Sequence, residues 1–157
     1  MFKFLIKLIE IQLFFIIFVK WYENKIHYME NFNYNWENKT ILIAEDIDFN
    51  YLFLSSALKY TKAKTLWARN GNMAVEMCNE SDVDLVLMDI QMPSMNGFDA
   101  TRKIKELFPE MPVIAQTAYA MDYEKSKILE SGCDDYLPKP ISLERLFTII
   151  DKYLGNN

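Results

Sequence analysis

Five short apolar runs, each followed by a segment of helical character, constrain the fold of this chain more than any other feature. They are TILIAED (40 to 46), AKTLWAR (63 to 69), VDLVLMD (83 to 89), MPVIAQT (111 to 117) and CDDYLPK (133 to 139). Strands that read as continuous apolar runs are buried on both faces, and strands separated by helices pair in parallel. The pattern predicts a doubly wound α/β domain built on a five-stranded parallel sheet, from Thr40 onward. The helix after the first strand should begin near a capping Asp48 and bury Phe49, Leu52, Phe53 and Leu58. The last helix has Ser142 as a candidate cap and Leu143, Leu146, Phe147, Ile150 and Leu154 at helical spacing, with Gly155 at its C-terminal end.

In such a sheet, ligands bind outside the carboxyl ends of the strands. The polar residue at each strand end is therefore the informative one. The first run ends in Glu45 and Asp46, the third in Asp89, the fourth in Thr117 and the fifth in Lys139. Singly, each has an ordinary explanation as a loop-opening acid, a cap, a β-branched strand residue or a solvated lysine. Jointly, they put three carboxylates into one crevice, where two unit charges about 4 Å apart repel by about 4 kcal/mol at an effective dielectric of about 20. Lys139 supplies one neutralising charge, and an open all-oxygen cluster suits a hydrated Mg²⁺.

Composition narrows the class. The chain has 157 residues, 51% of them hydrophobic, with only four Gly and five Pro, which fits one packed domain with length to spare. Residues 1 to 40 hold five Lys against four acidic residues, a formal +1, so residues 41 to 157 carry −6 and the whole chain −5. An acidic body argues against nucleic acid as a direct partner. Cys78 and Cys133 lack C-x-x-C spacing and read as two reduced thiols of a cytoplasmic domain. His27 has no second imidazole to share a metal and reads as exposed.

The N-terminal 22 residues stand apart. Fourteen Phe, Leu, Ile or Val residues lie between Phe2 and Val19, interrupted by Lys3, Lys7, Glu10 and Gln12. Lys3, Lys7 and Glu10 form one narrow polar stripe on a helix, which suits an amphipathic surface or partner-binding segment. Lys20, Trp21 and Tyr22 suit a membrane anchor. A third reading is the tail of a larger sensor's spanning segment, or sequence upstream of a start at Met29. Residues 23–39 read as a linker, and 40–155 as the domain.

The motifs ILIAED, LVLMDIQMPSMNG, IAQTAYAM and DDYLPKP follow in order. With them, residues 40–154 resemble the receiver domains of two-component response regulators, especially the receivers of hybrid sensor histidine kinases. The resemblance implies a flavodoxin-like sheet of order 2-1-3-4-5. It implies that Asp89 accepts a phosphoryl group from a histidine kinase or histidine phosphotransfer protein. Mg²⁺ would be held directly by Asp46 and Asp89, partly through water by Glu45, and by the backbone carbonyl of Gln91. The Thr117 hydroxyl, the Ala118 backbone N–H and Lys139 would meet phosphoryl oxygens, and a cis peptide bond would join Lys139 to Pro140.

Thr117 and Tyr136 would form the switch, reshaping the face made by the fourth helix (about Met121 to Glu130), the fifth strand and the last helix. That face could then support a phosphorylation-dependent dimer. The fourth helix is sparsely apolar, at Met121, Ile128 and Leu129, and is expected to pack loosely. Asn96 stands where Asp is frequent before the glycine, and Glu45 replaces an Asp, neither of which should abolish function. Bulky Tyr119 is expected to slow dephosphorylation.

The expectation is a stand-alone receiver or the detached receiver portion of a hybrid histidine kinase, assisting its own phosphorylation and dephosphorylation rather than turning over a separate substrate. It would be cytoplasmic, with membrane attachment through residues 1–22 left open. Two readings compete with it. An aspartate-nucleophile, Mg²⁺-dependent phosphatase would usually place an acid two residues after the nucleophile, where Gln91 stands. An unphosphorylated binding module would usually have lost one of Glu45, Asp46, Asp89, Thr117 and Lys139.

Overall fold

The LVLMD run forms β3, Leu85–Asp89, and every one of its residues is buried. In the computed structural model, residues 34–118 and 131–155 are described, together with Lys20, Ile128 and Glu130. Flanking β3 are β1 (Thr40–Ala44), β2 (Lys64–Ala68), β4 (Val113–Thr117) and β5 (Asp135–Pro138). The order is β2-β1-β3-β4-β5 and every pairing is parallel, the flavodoxin-like arrangement. Parallel pairing needs crossovers, and the described ones carry α1 (Asp48–Leu58), α2 (Gly71–Glu80) and α3 (Gly97–Leu107). A C-terminal helix, Leu143–Leu154, follows β5.

Alternation along the strands divides the apolar residues between two faces. Leu42, Val86, Met88, Val113 and Ala115 pack in one cluster with Ala74 and Cys78 of α2 and with Ala100 and Ile104 of α3. Ile41, Ile43, Leu85, Leu87, Ile114 and Leu137 point to the other face and are fully buried. Burying each such aliphatic side chain contributes about 1.5 to 3 kcal/mol. Both cysteines are free and buried, and burial pushes the Cys78 thiol up to about 11.

Several local expectations change. On α1, Phe49 and Leu52 are 67% and 57% exposed, while Leu54, Ala57 and Leu58 are buried. The buried stripe starts later because Ala57 and Leu58, one turn after Leu54, turn a different face inward. Asp48 is the first helical residue rather than the cap, and its carboxylate pairs with Arg69 at 2.7 Å. Ser142 occupies the N-cap position without a side-chain bond, and Gly155 ends the helix at φ −62 rather than in the left-handed region.

The linker reading also stops short of its expected end, because Tyr34 to Lys39 belong to the domain. Trp36 is 2% exposed, its N–H donates to the Thr61 carbonyl at 2.8 Å, and its indole donates to Asp151 at 3.3 Å. Tyr34 and Trp36 both stack on Phe147 of the C-terminal helix. Their apolar rings, not the surrounding Asn residues, decide the packing.

Residues 1–19, His27 and Met29, Tyr119, and the Met121–Glu130 segment apart from Ile128 and Glu130 lie outside the described residues. Ile128 is buried. Among the described residues, no helix is long and apolar enough to cross a membrane.

Candidate functional site

The ladder between β1 and β3 aligns Ala44 with Met88, so the next residues, Glu45 and Asp89, emerge side by side at the carboxyl rim of the sheet. Glu45 is fully buried and gripped from several directions. Its Oε1 accepts from the Ile47 N–H at 3.3 Å and from Asn50 Nδ2 at 3.0 Å, and its Oε2 accepts from Lys139 at 2.9 Å. Its backbone carbonyl accepts from the Trp67 indole at 2.8 Å.

Asp89 is 4% exposed. Its Oδ1 accepts from the Gln91 N–H at 3.1 Å and its Oδ2 from Lys139 at 2.7 Å. Asp46 is half-buried beside them, and one ligand oxygen from each of Glu45, Asp46 and Asp89 lies within 4.8 Å of the other two. Three hard oxygen donors that close, beside a partly solvated crevice, have the composition that accepts a divalent cation. Of the residues expected to meet in this crevice, Glu45, Asp46 and Asp89 bring their carboxylates together and Lys139 pairs with two of them, Glu45 and Asp89.

Burial pushes the Asp89 carboxyl up; the hydrogen bond and charge of Lys139 pull it back, the Glu45 charge pushes it up again, and it stays above the ordinary carboxylate value. Burial works the other way on Lys139, but its hydrogen bonds to Asp89 and Glu45 outweigh it and hold the ammonium above the usual lysine value. Lys139 follows β5, its N–H donates to the Thr117 carbonyl at 2.7 Å, and its bond to Pro140 is cis. Thr117 ends β4 and is 4% exposed, and Ala118 after it is exposed. Tyr136 lies half-buried on β5 with the Arg145 guanidinium 5.1 Å from its ring centroid.

The turn after Asp89 is held by Asn96, whose Oδ1 caps α3 through the Asp99 N–H at 2.9 Å. Asn serves there as well as Asp because either oxygen can accept this bond. Gly97 is required by proximity: a Cβ on it would lie 2.2 Å from the Asp89 carbonyl.

Three contributors escape the sequence. Asn50 is hidden within a helix, five residues from Glu45, and Trp67 reads as an ordinary edge-strand aromatic. Gln116 pairs in register with Asp89 and is fully buried, yet among the described residues neither its Nε2 nor its Oε1 has a hydrogen-bond partner. Only the polarity of Gln116 within an apolar run could have marked it.

The family described as the response regulator receiver domain matches residues 41–151. The polar-differentiation response regulator DivK of Brucella anthropi is 36% identical over 120 residues, which cover 75% of this chain and 98% of that protein. Among solved structures, the receiver domain of sensor histidine kinase PA1611 from Pseudomonas aeruginosa PAO1, with a magnesium ion coordinated in its active site cleft, is similar at TM-score 0.70 and 29% identity. That match covers 75% of this chain and 98% of the other. A chain in the co-crystal structure of the Saccharomyces cerevisiae histidine phosphotransfer signaling protein Ypd1 with the receiver domain of its downstream response regulator Ssk1 matches at TM-score 0.71 and 31% identity, over 75% and 90% of the two chains.

Proposed function

From the premise that this chain belongs to the response regulator receiver family of two-component and phosphorelay signalling, we propose that Asp89 is its phosphoacceptor and that a phosphohistidine on a kinase or phosphotransfer protein is the donor. The observation that carries this reading is the meeting of Glu45, Asp46, Asp89 and Lys139 at one rim of the sheet.

In the transfer, a carboxylate oxygen of Asp89 attacks phosphorus while the P–N bond to imidazole breaks, and the electron pair leaves with the ring nitrogen. Phosphoryl transfer asks mainly for positioning and charge stabilisation. The rigid, buried β3 holds the nucleophile in place, and the Gln91 N–H orients one of its oxygens. Lys139, already between Glu45 and Asp89, pairs with a phosphoryl oxygen, and the Thr117 hydroxyl and Ala118 N–H take others.

Asp46, Asp89 and the Gln91 carbonyl would hold Mg²⁺, with Glu45 acting partly through water. The protein donors already on both Glu45 oxygens support that indirect part. When bound, Mg²⁺ supplies positive charge that offsets the carboxylates and the incoming phosphoryl oxygens. Thr117 and Tyr136 then form the switch, and the Tyr136–Arg145 surface is the face that changes, with dimerisation as one consequence. The domain assists its own phosphorylation and the hydrolysis of the resulting aspartyl phosphate, Tyr119 slowing the latter, and its two buried thiols suit the cytoplasm. Residues 1–22 are proposed as a separate N-terminal segment.

Phosphoramidate, whose P–N bond mimics phosphohistidine, tests the reading. With Mg²⁺ it should form a hydroxylamine-labile phosphoprotein, and with a chelator it should not. A label that resists hydroxylamine, or forms equally with chelator, overturns the assignment.

A further inference from the structure

Glu45 has two kinds of grip, one on its carboxylate and one on its backbone. The carboxylate is held from the start of α1, by the Ile47 N–H and Asn50. The backbone grip comes from β2, the edge strand. The last rung of the β1–β2 ladder is the Glu45 N–H on the Ala68 carbonyl at 3.0 Å. Beyond it, the Glu45 carbonyl is met not by backbone but by the Trp67 indole N–H, at 2.8 Å. That carbonyl belongs to the peptide unit joining Glu45 to Asp46, so its orientation sets where the Asp46 carboxylate starts.

Trp67 is itself immobilised. Tyr51 of α1 stacks on it with ring centroids 4.0 Å apart and planes within 2° of parallel, and the Arg69 guanidinium lies 3.8 Å from its centroid. Arg69 in turn pairs with Asp48 at 2.7 Å. An indole clamped this way donates along a fixed direction at little further cost in side-chain entropy.

We propose that Trp67 is a positioning residue for the acidic site: its N–H, bound to the Glu45 carbonyl, fixes the Glu45–Asp46 peptide and thereby sets the affinity for a divalent cation. This rests on the reading of the Glu45, Asp46 and Asp89 cluster as a divalent-cation site. Hydrogen bonds that orient a metal's ligands typically change affinity on the order of 10-fold to 100-fold when removed. Trp67 acts through one backbone carbonyl, so the low end applies.

The test is calorimetric titration of the full chain with MgCl₂, alongside Trp67→Phe, which keeps a six-membered ring to stack on Tyr51 and loses the donor together with the pyrrole ring that carries it. The expected result is affinity weakened on the order of 10-fold in Trp67→Phe. In phosphorylation by acetyl phosphate, the Mg²⁺ concentration for half-maximal rate should rise by the same factor, while the rate at saturating Mg²⁺ stays unchanged. Tyr51→Leu loosens the clamp but keeps the N–H, and should lower stability and weaken Mg²⁺ binding by clearly less than Trp67→Phe does. Equal affinity in Trp67→Phe and the unmodified protein overturns the inference, as does a loss in Tyr51→Leu as large as in Trp67→Phe. Absence of Mg²⁺ binding by the unmodified protein overturns the cation-site reading instead.

Discussion

Lys139, just past β5, crosses β4 to place its Nζ 2.7 Å from Oδ2 of Asp89 on β3. The same ammonium lies 2.9 Å from Oε2 of the fully buried Glu45. One cation thus serves two carboxylates, and its removal leaves both without a partner charge in the metal-free protein.

Lys139→Met should therefore destabilise the metal-free domain by about 1 to 3 kcal/mol, less than the 3 to 5 of a fully buried pair because Lys139 is partly exposed. Asp89 has a raised folded-state pKa, so its protonated form favours the fold and its charge opposes it. That stability is present below the unfolded pKa and is lost as pH rises through the folded one. Losing Lys139 enlarges the effect. The deficit of Lys139→Met should be full near neutrality and should shrink in acid. Lys139 itself, with its pKa raised, stabilises the unmodified protein fully below the ordinary lysine value and ceases to do so as pH rises through its folded value. Urea unfolding across pH measures both limbs; a deficit that grows in acid contradicts this.

Gln116, beside Asp89, carries a buried amide with no hydrogen-bond partner among the described residues. Leaving such a group unsatisfied costs about 1 to 3 kcal/mol, so Gln116→Leu should raise stability by about 1 to 2 kcal/mol. Chemical denaturation of the two proteins decides it, and a less stable variant would show that the amide is satisfied in solution.

Gly97→Ala inserts a methyl where the Asp89 carbonyl already lies. Backbone cannot yield as a side-chain tip would, so the variant should lose about 1 to 3 kcal/mol. Because the displaced atom belongs to Asp89, phosphorylation should slow as well. A variant of unchanged stability and rate would show that the turn tolerates the methyl.

Trp36→Ala should cost about 3 to 5 kcal/mol, the range for truncating a buried aromatic residue. Its ring is buried against Phe147 and its indole reaches Asp151. A thermal midpoint within a degree or so of the unmodified protein would contradict the assignment of Tyr34 to Lys39 to the domain.

The sheet was legible because a strand buried on both faces must be apolar along most of its length, as β3 is up to Asp89 and β4 is up to Gln116. The crevice was legible because polar residues ending such strands have one place to go. What escaped depends on contacts distant in sequence. Trp36 sits among Asn residues that read as linker, although its partners are Thr61, Phe147 and Asp151. The exposed side of α1 misled for another reason: Phe49 and Leu52 satisfy the helical period, but periodicity does not say which of two apolar stripes meets the sheet. The capping bonds expected of Asp48 and Ser142 also failed to form, Asp48 being engaged by Arg69 instead.

Intact mass measured after incubation with Mg²⁺ and acetyl phosphate tests the central claim most directly. The account predicts a gain of one phosphoryl group that disappears on standing, depends on Mg²⁺, and is absent from Asp89→Ala. No adduct on the unmodified protein, or the same adduct on Asp89→Ala, would contradict it.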